Sequence, residues 1–198
     1  MQQPAGFARF RRDLTTLPNL VSLGRIVGIY LAMILYLNDW RLLGLGVGIA
    51  AGMSDYVDGI LARRLNQVTP LGALLDQLGD ILMESSAIFL AVLLGAWHPI
   101  FLFLYLFRNF VNISIRMAAA LRGQQIPSVF LGKMGANFNF YAIGIVYVAL
   151  AGILPASVEL LLVWISGAAL AVGLLWGYLS MGIYLVSYMR TYGEGTAS

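Results

Sequence analysis

The sequence contains no cysteine, which excludes disulfides, thiolate catalysis and any cysteine-built metal site. It has a single histidine, His98, so a histidine-rich centre is excluded as well. His98 lies in Trp97-His98-Pro99, where proline breaks a helix, and is expected to cap a short loop. Charge is scarce. Only 11% of the 198 residues are charged, whereas a soluble domain carries about 25%. Hydrophobic residues make up 60%, and the mean hydropathy is +0.84. This composition belongs to an integral membrane protein, and the length to a single domain over 1–198, with 1–18 as a juxtamembrane segment. No cleavable signal peptide is expected, because the apolar run after the basic N-terminus is too long and lacks a cleavage pattern. No nucleic-acid partner is expected.

A membrane-spanning helix needs about 20 mostly apolar residues. Six such stretches can be drawn, at Leu20–Leu37, Leu42–Leu61, Leu71–Gly95, Ile100–Leu121, Gly135–Ile153 and Val158–Met189. The predicted fold is an all-α membrane protein of six transmembrane helices. Arg9, Arg11, Arg12, Arg63, Arg64, Arg122, Lys133 and Arg190 fall on one side of these spans, and Arg41 alone on the other. Positive charge stays inside, so both termini are expected in the cytoplasm and the protein in the cell membrane. Phe7–Leu14 reads either as a short amphipathic helix at the headgroups or as a basic tail. Gly44, Gly48 and Gly52, and again Gly173 and Gly177, recur every four residues and suit close helix packing, within one chain or between two. Arg25, Arg108 and Arg116 fall inside apolar spans, where each needs a specific reason.

Four aspartates sit where charge is least welcome. Asp55 and Asp58 are three apart near the end of the second stretch, and Asp76 and Asp80 are four apart in the third. Each spacing puts its pair on one helix face. Thr69 and Pro70 read as the N-cap and first residue of the third helix. At 1.5 Å per residue, Asp76 and Asp80 then lie about 9 and 15 Å along it. Asp55 and Asp58 lie at similar depth in the antiparallel neighbour. Carboxylates each cost about 2.5–3.5 kcal/mol in a bilayer, so four uncompensated ones would cost on the order of 10 kcal/mol. A divalent cation is the simplest compensation. Oxygen ligands alone select hard cations, and four carboxylates suffice for two. A transporter or proton relay also uses intramembrane aspartates. Scattered carboxylates would suit it better than this fixed spacing with Gly59, Ala62 and Arg63.

Asp55, Asp58, Gly59, Ala62, Arg63, Gly72, Asp76 and Asp80 match all eight specified positions of D-x2-D-G-x2-A-R-x8-G-x3-D-x3-D. In this the chain resembles the CDP-alcohol phosphotransferase family. Leu17-Pro18-Asn19-Leu20-Val21-Ser22 also looks like the start of that family's first span. The resemblance implies an enzyme that moves a phosphatidyl or phospho-alcohol group from a CDP-linked donor to an alcohol and releases CMP. It implies Mg²⁺ or Mn²⁺ held by Asp55, Asp58 and Asp76, with Asp80 near a second metal and serving as base. Nucleotide contacts are implied for Asn19, Ser22, Gly59, Arg63, Thr69 and Gly72. For Asn19 and Ser22 a plain helix cap is the competing expectation. The resemblance also implies a homodimer with its active site facing the cytoplasm.

The acceptor is read from Arg108 and Arg116, eight apart on nearly one helix face, and from Lys133 in the next cytoplasmic segment. Buried arginines need anionic partners, such as a phosphate monoester. A structural pair or snorkelling would also account for them. Ala62-Arg63-Arg64-x-Asn66-Gln67-x-Thr69 and the Arg108-to-Arg116 spacing look like bacterial phosphatidylglycerophosphate synthases, which makes glycerol 3-phosphate the leading acceptor. Three positions depart from that pattern: Gly135-Ala136 follows Gly132-Lys133-Met134 in place of a second lysine and threonine, and Ile81 replaces a lysine after the last aspartate. Inositol phosphate, phosphatidylglycerol, and CDP-choline or CDP-ethanolamine with diacylglycerol stay open.

Overall fold

The computed structural model describes residues 10, 11, 13–65, 69–123, 127 and 129–194, with the side chains of 55–63, 70, 73 and 190–194 outside that description. Among the described residues the chain is helical and holds no strand. The long helices are α1 (Leu17–Leu37), α2 (Arg41–Arg64), α3 (Pro70–Leu93), α4 (Ile100–Ala120), α5 (Phe130–Ala149) and α6 (Ala156–Glu194). Residues 10, 11, 13 and 14 are also helical, within the stretch read either as an amphipathic helix or as a basic tail. Three of the helices are long and apolar enough to cross a membrane: Leu17–Leu37, Ile100–Ala120 and Ala156–Met189. Among the described residues α2 carries a shorter apolar stretch, Arg41–Ser54, and α3 carries Asp76, Asp80 and Glu84.

Contacts divide the chain into two compact units, Met1–Ala87 and Ile88–Ser198. In the first unit, α1 buries one face built from Pro18, Asn19, Ser22, Arg25, Ile29, Ala32 and Tyr36. Those positions recur every three or four residues, which is the helical period of a packed stripe. Its N-terminal half is polar and its C-terminal half apolar. The helix ends in a left-handed turn. Asp39 takes φ 62°, its N–H donates to the Tyr36 carbonyl (3.2 Å), and Trp40 N–H donates to Leu35 (2.9 Å). That is the Schellman arrangement, and it turns the chain into α2. Close approach follows from small residues. A Cβ on Gly28 would lie 3.2 Å from that of Ala51, and one on Gly44 would lie 2.7 Å from the Tyr36 ring. Gly44 and Gly48 therefore serve packing within this chain, while a Cβ on Gly52 would meet nothing within 4 Å.

The second unit has its core in Ile88, Ala91, Trp97, Tyr105, Ala142, Val146, Leu170 and Leu174. Helix α3 ends in a second Schellman turn at Gly95 (φ 75°), with Ala96 N–H on the Ala91 carbonyl at 2.9 Å. His98 then caps the next helix, its Nδ1 accepting from Ile100 N–H at 3.2 Å, as its place in the sequence suggests. Buried Trp97 donates through Nε1 to Ser166 Oγ (3.2 Å), and Tyr178 donates its hydroxyl to the Leu104 carbonyl (2.9 Å). Helices α5 and α6 meet backbone to backbone. A Cβ on Gly135 would fall 2.8 Å from the Gly173 carbonyl oxygen and 3.1 Å from the Gly177 nitrogen. Gly173 and Gly177 thus also pack within the chain.

Three boundaries differ most from the expected ones. Helix α5 begins at Phe130 and not Gly135, because Val129 is extended (ψ 152°) and Lys133, taken for a loop residue, sits in the first turn. It closes before Ile153 because Gly152 adopts φ 75°. Helix α6 continues past Met189 to Glu194 as one element of 39 residues, about 58 Å long.

Candidate active site

Helix α3 positions the second aspartate pair, and its start is as expected. Thr69 accepts the Gly72 N–H on Oγ1 at 3.0 Å, the N-cap bond three residues in. Asn19 on α1 reaches the same hydroxyl. Its Nδ2 donates to Thr69 Oγ1 (3.4 Å) and to the Asp13 carbonyl (2.7 Å). A Cβ on Gly72 would lie 2.7 Å from Asn19 Oδ1. Glycine at 72 is what lets the buried amide fit. The structure therefore brings Asn19, Thr69 and Gly72 together, three residues expected to contact the donor.

Asn19 and Ser22 are not helix caps. The N-cap of α1 is Thr16, and Asn19 and Ser22 lie inside the helix, 2% and 4% exposed. Ser22 donates to the Pro18 carbonyl at 3.2 Å. The competing expectation of a plain cap fails because the helix starts at Leu17, one residue before the proline.

One and two turns further along α3, Asp76 and Asp80 meet a partner that the sequence left unassigned. Arg25 of α1 is 1% exposed. Its Nη1 donates to Asp80 Oδ1 at 3.2 Å, and its Nη2 to Asp76 Oδ1 at 3.4 Å and to the Asp76 carbonyl at 3.3 Å. The arginine side chain is fully buried, whereas those of Asp76 and Asp80 are 55% and 53% exposed. Burying a guanidinium demands such anions. Leaving a buried charge without its partner costs about 3–5 kcal/mol. Gly79 makes the approach feasible, since a Cβ there would lie 2.5 Å from Arg25 Nη2. The one signal available in advance was a basic residue in the middle of an apolar helix.

Asp55, Asp58, Gly59, Ala62 and Arg63 fall on α2, but their side chains lie outside the described residues. Among the described residues no three acidic or imidazole groups gather. Asp76 and Asp80 offer oxygen donors only, one helical turn apart and half open. Arg25 occupies Oδ1 of each. A carboxylate has two oxygens with about four lone-pair sites, so this donor set fits a hard divalent cation alongside the arginine.

In the second unit, Arg108, Asn112 and Arg116 recur every four residues on α4. Among the described residues, Arg108 Nε and Nη1 and Asn112 Oδ1 are buried without a hydrogen-bond partner. Buried polar groups are nearly always satisfied, so such orphans mark a place for a ligand or water. Gly177 of α6 yields to this guanidinium: a Cβ there would fall 2.5 Å from Arg108 Nη1. Arg116 has a partner already. It donates to the Tyr184 hydroxyl (3.4 Å) and lies over that ring, 5.2 Å from its centre. The same hydroxyl accepts Val129 N–H at 3.1 Å, just before α5. Arg122 stacks likewise on Tyr188, at 5.6 Å. Lys133 is exposed in the first turn of α5. Asn112 and Tyr184 were not singled out by sequence reasoning, because their value comes from neighbours on other turns and helices.

The family model for CDP-alcohol phosphatidyltransferase matches residues 15–178, most of the chain and all four aspartates. The chain belongs to the CDP-alcohol phosphatidyltransferase family. It is similar to the CDP-diacylglycerol–glycerol-3-phosphate 3-phosphatidyltransferase of Bacillus subtilis, 35% identical over 136 residues, covering 60% of this chain and 69% of that protein. A CMP-forming cardiolipin synthase of Streptomyces coelicolor is 37% identical over 139 residues, covering 63% of this chain and 60% of that protein. A Rickettsia bellii CDP-diacylglycerol–glycerol-3-phosphate 3-phosphatidyltransferase is 30% identical over 132 residues, covering 65% and 73%. As a member of this family the chain is a membrane transferase of phospholipid synthesis. Arg25 holds two of its signature aspartates, Asp76 and Asp80.

Proposed function

We propose that this CDP-alcohol phosphatidyltransferase moves a phosphatidyl group from CDP-diacylglycerol to glycerol 3-phosphate and releases CMP. The observation that carries the reading is the complete eight-position signature. The names of relatives in Bacillus and Rickettsia support the acceptor. The buried, unpartnered nitrogens of Arg108 also suit a phosphate monoester. Arg116 and Lys133 would add positive charge to the same acceptor.

Asp55, Asp58, Asp76 and Asp80 would hold Mg²⁺ or Mn²⁺. What a divalent cation supplies here is neutralisation of the pyrophosphate and of the charge on departing CMP. Asp80 takes the proton from the acceptor hydroxyl. The alkoxide oxygen attacks the lipid-linked phosphorus, a new P–O bond forms, and the P–O bond to CMP breaks. Arg63, Gly59, Asn19, Ser22, Thr69 and Gly72 would receive the CDP group. In support, Asn19 and Ser22 lie on the same face of α1 as Arg25, and Thr69 caps the helix that carries Asp76 and Asp80.

The proposed topology has six membrane crossings with both termini and the active site on the cytoplasmic side of the cell membrane. The lopsided arginine and lysine placement supports it. Such a site lets acyl tails stay in the bilayer while the CDP headgroup meets the aspartates. A homodimer is proposed from family membership. Gly44, Gly48, Gly173 and Gly177 are already used within the chain, so they do not argue for a dimer seam.

A second reading, a lipid alcohol such as phosphatidylglycerol as acceptor, is favoured by the Streptomyces cardiolipin synthase. Purified protein with radiolabelled CDP-diacylglycerol and each acceptor in turn separates them. CMP release with glycerol 3-phosphate, stopped by EDTA and restored by Mg²⁺ or Mn²⁺, is the expected result. Turnover with phosphatidylglycerol alone would move the assignment to the second reading, and chelator-resistant turnover would rule out the cation site.

A further inference from the structure

We propose that Arg25 is a positioning residue that sets the Asp76 and Asp80 carboxylates for cation binding. The guanidinium fork is fully buried on α1 and, among the described residues, reaches across to α3 with three hydrogen bonds. Two go to the Oδ1 atoms of Asp80 and Asp76, and the third goes to the Asp76 main-chain carbonyl. Two carboxylates one turn apart repel each other, and half exposure means that burial alone does not restrain their rotation. A planar fork with donors in fixed directions removes that freedom, which a flexible ammonium group does not. By binding one oxygen of each, Arg25 orients the two carboxylates together and offsets their charge.

Gly79 is the second half of the device. It is buried on α3 between the two aspartates, and the three atoms nearest a Cβ there are Arg25 Nη2, Cζ and Nε, at 2.5, 3.0 and 3.1 Å. Glycine at 79 therefore opens the slot in which the fork lies. Gly79 is not one of the signature positions, and its role comes only from Arg25. Groups that orient metal ligands typically matter about 10–100-fold in metal affinity or activity when lost.

The inference rests on the proposed cation site, and the test separates the two. Mn²⁺ is titrated into the full-length purified protein without substrate, and free Mn²⁺ is followed by electron paramagnetic resonance. Wild type, Arg25→Lys, Arg25→Gln and Gly79→Ala are compared, with thermal melts in parallel. The expected result is saturable binding by wild type and a dissociation constant raised about 10–100-fold in all three variants. Arg25→Lys is informative because it keeps the charge and loses the fork. Gly79→Ala keeps the arginine and displaces it, so it carries the test if Arg25→Gln fails to fold. Variants that melt lower yet bind Mn²⁺ as wild type does would reduce Arg25 to a structural tie and overturn the proposal. Tighter binding in any variant would also overturn it, since the guanidinium would then compete with the cation. No saturable binding by wild type would overturn the cation site itself.

Discussion

Replacing Gly135 by alanine tests the seam between α5 and α6 directly. The added Cβ would lie 2.8 Å from the Gly173 carbonyl oxygen and 3.1 Å from the Gly177 nitrogen. Both are main-chain atoms of a helix, so neither can swing aside as a side chain does. The helices must move apart by several tenths of an ångström along the seam. Overpacking of this kind costs about 1–3 kcal/mol, against a gain of about 0.5–1 kcal/mol from alanine's better helix propensity. The net loss is on the order of 1–2 kcal/mol. In a chain of this size each kcal/mol shifts Tm by about 2–4 °C. Gly135→Ala should therefore lower Tm by about 2–8 °C in a detergent melt. Gly144→Ala is the control on the same helix. Nothing lies within 4 Å of its Cβ, so it should leave Tm unchanged or raise it slightly. The seam also carries Gly177 against Arg108, so Gly135→Ala should weaken phosphate-bearing acceptor binding as well as stability. Equal melting of Gly135→Ala and Gly144→Ala would refute the backbone-contact reasoning.

Three further outcomes are expected. Asp80→Asn should abolish turnover, measured as CMP release, while donor binding stays largely intact; near-wild-type turnover would remove Asp80 from the role of base. Arg116→Ala should raise KM for a phosphorylated acceptor more than KM for the donor, and an equal effect on both would leave only its contact with Tyr184. Because the chain has no cysteine, single cysteines report topology cleanly. A cysteine at Asp39 should react with an impermeant maleimide from outside intact cells and one at Arg122 should not; the reverse pattern would invert the proposed orientation.

The helices could be read from the sequence because hydrophobic length is a local property. The expected spans overlap all six observed helices, and the breaks at Asn38-Asp39 and Trp97–Pro99 lie at or just after a positive φ, at Asp39 and Gly95, that ends a helix. The α5 start was misplaced because Lys133 looks like a loop residue, although the first turn of the helix accommodates it. Thr69 as N-cap was legible because a cap is written within four residues. Asn19 and Ser22 were ambiguous because capping depends on which residue begins the helix, and Thr16 does.

By itself the sequence determined the membrane class, the family and the pairing of aspartates on helix faces, since composition and short-range spacing decide those. Only the tertiary structure decided what Arg25 does and why Gly72, Gly79 and Gly177 must be small. Arg25 and its aspartates are 51 and 55 residues apart in the chain. No helical period links them, and only the packing of α1 against α3 brings a buried cation to two half-exposed carboxylates.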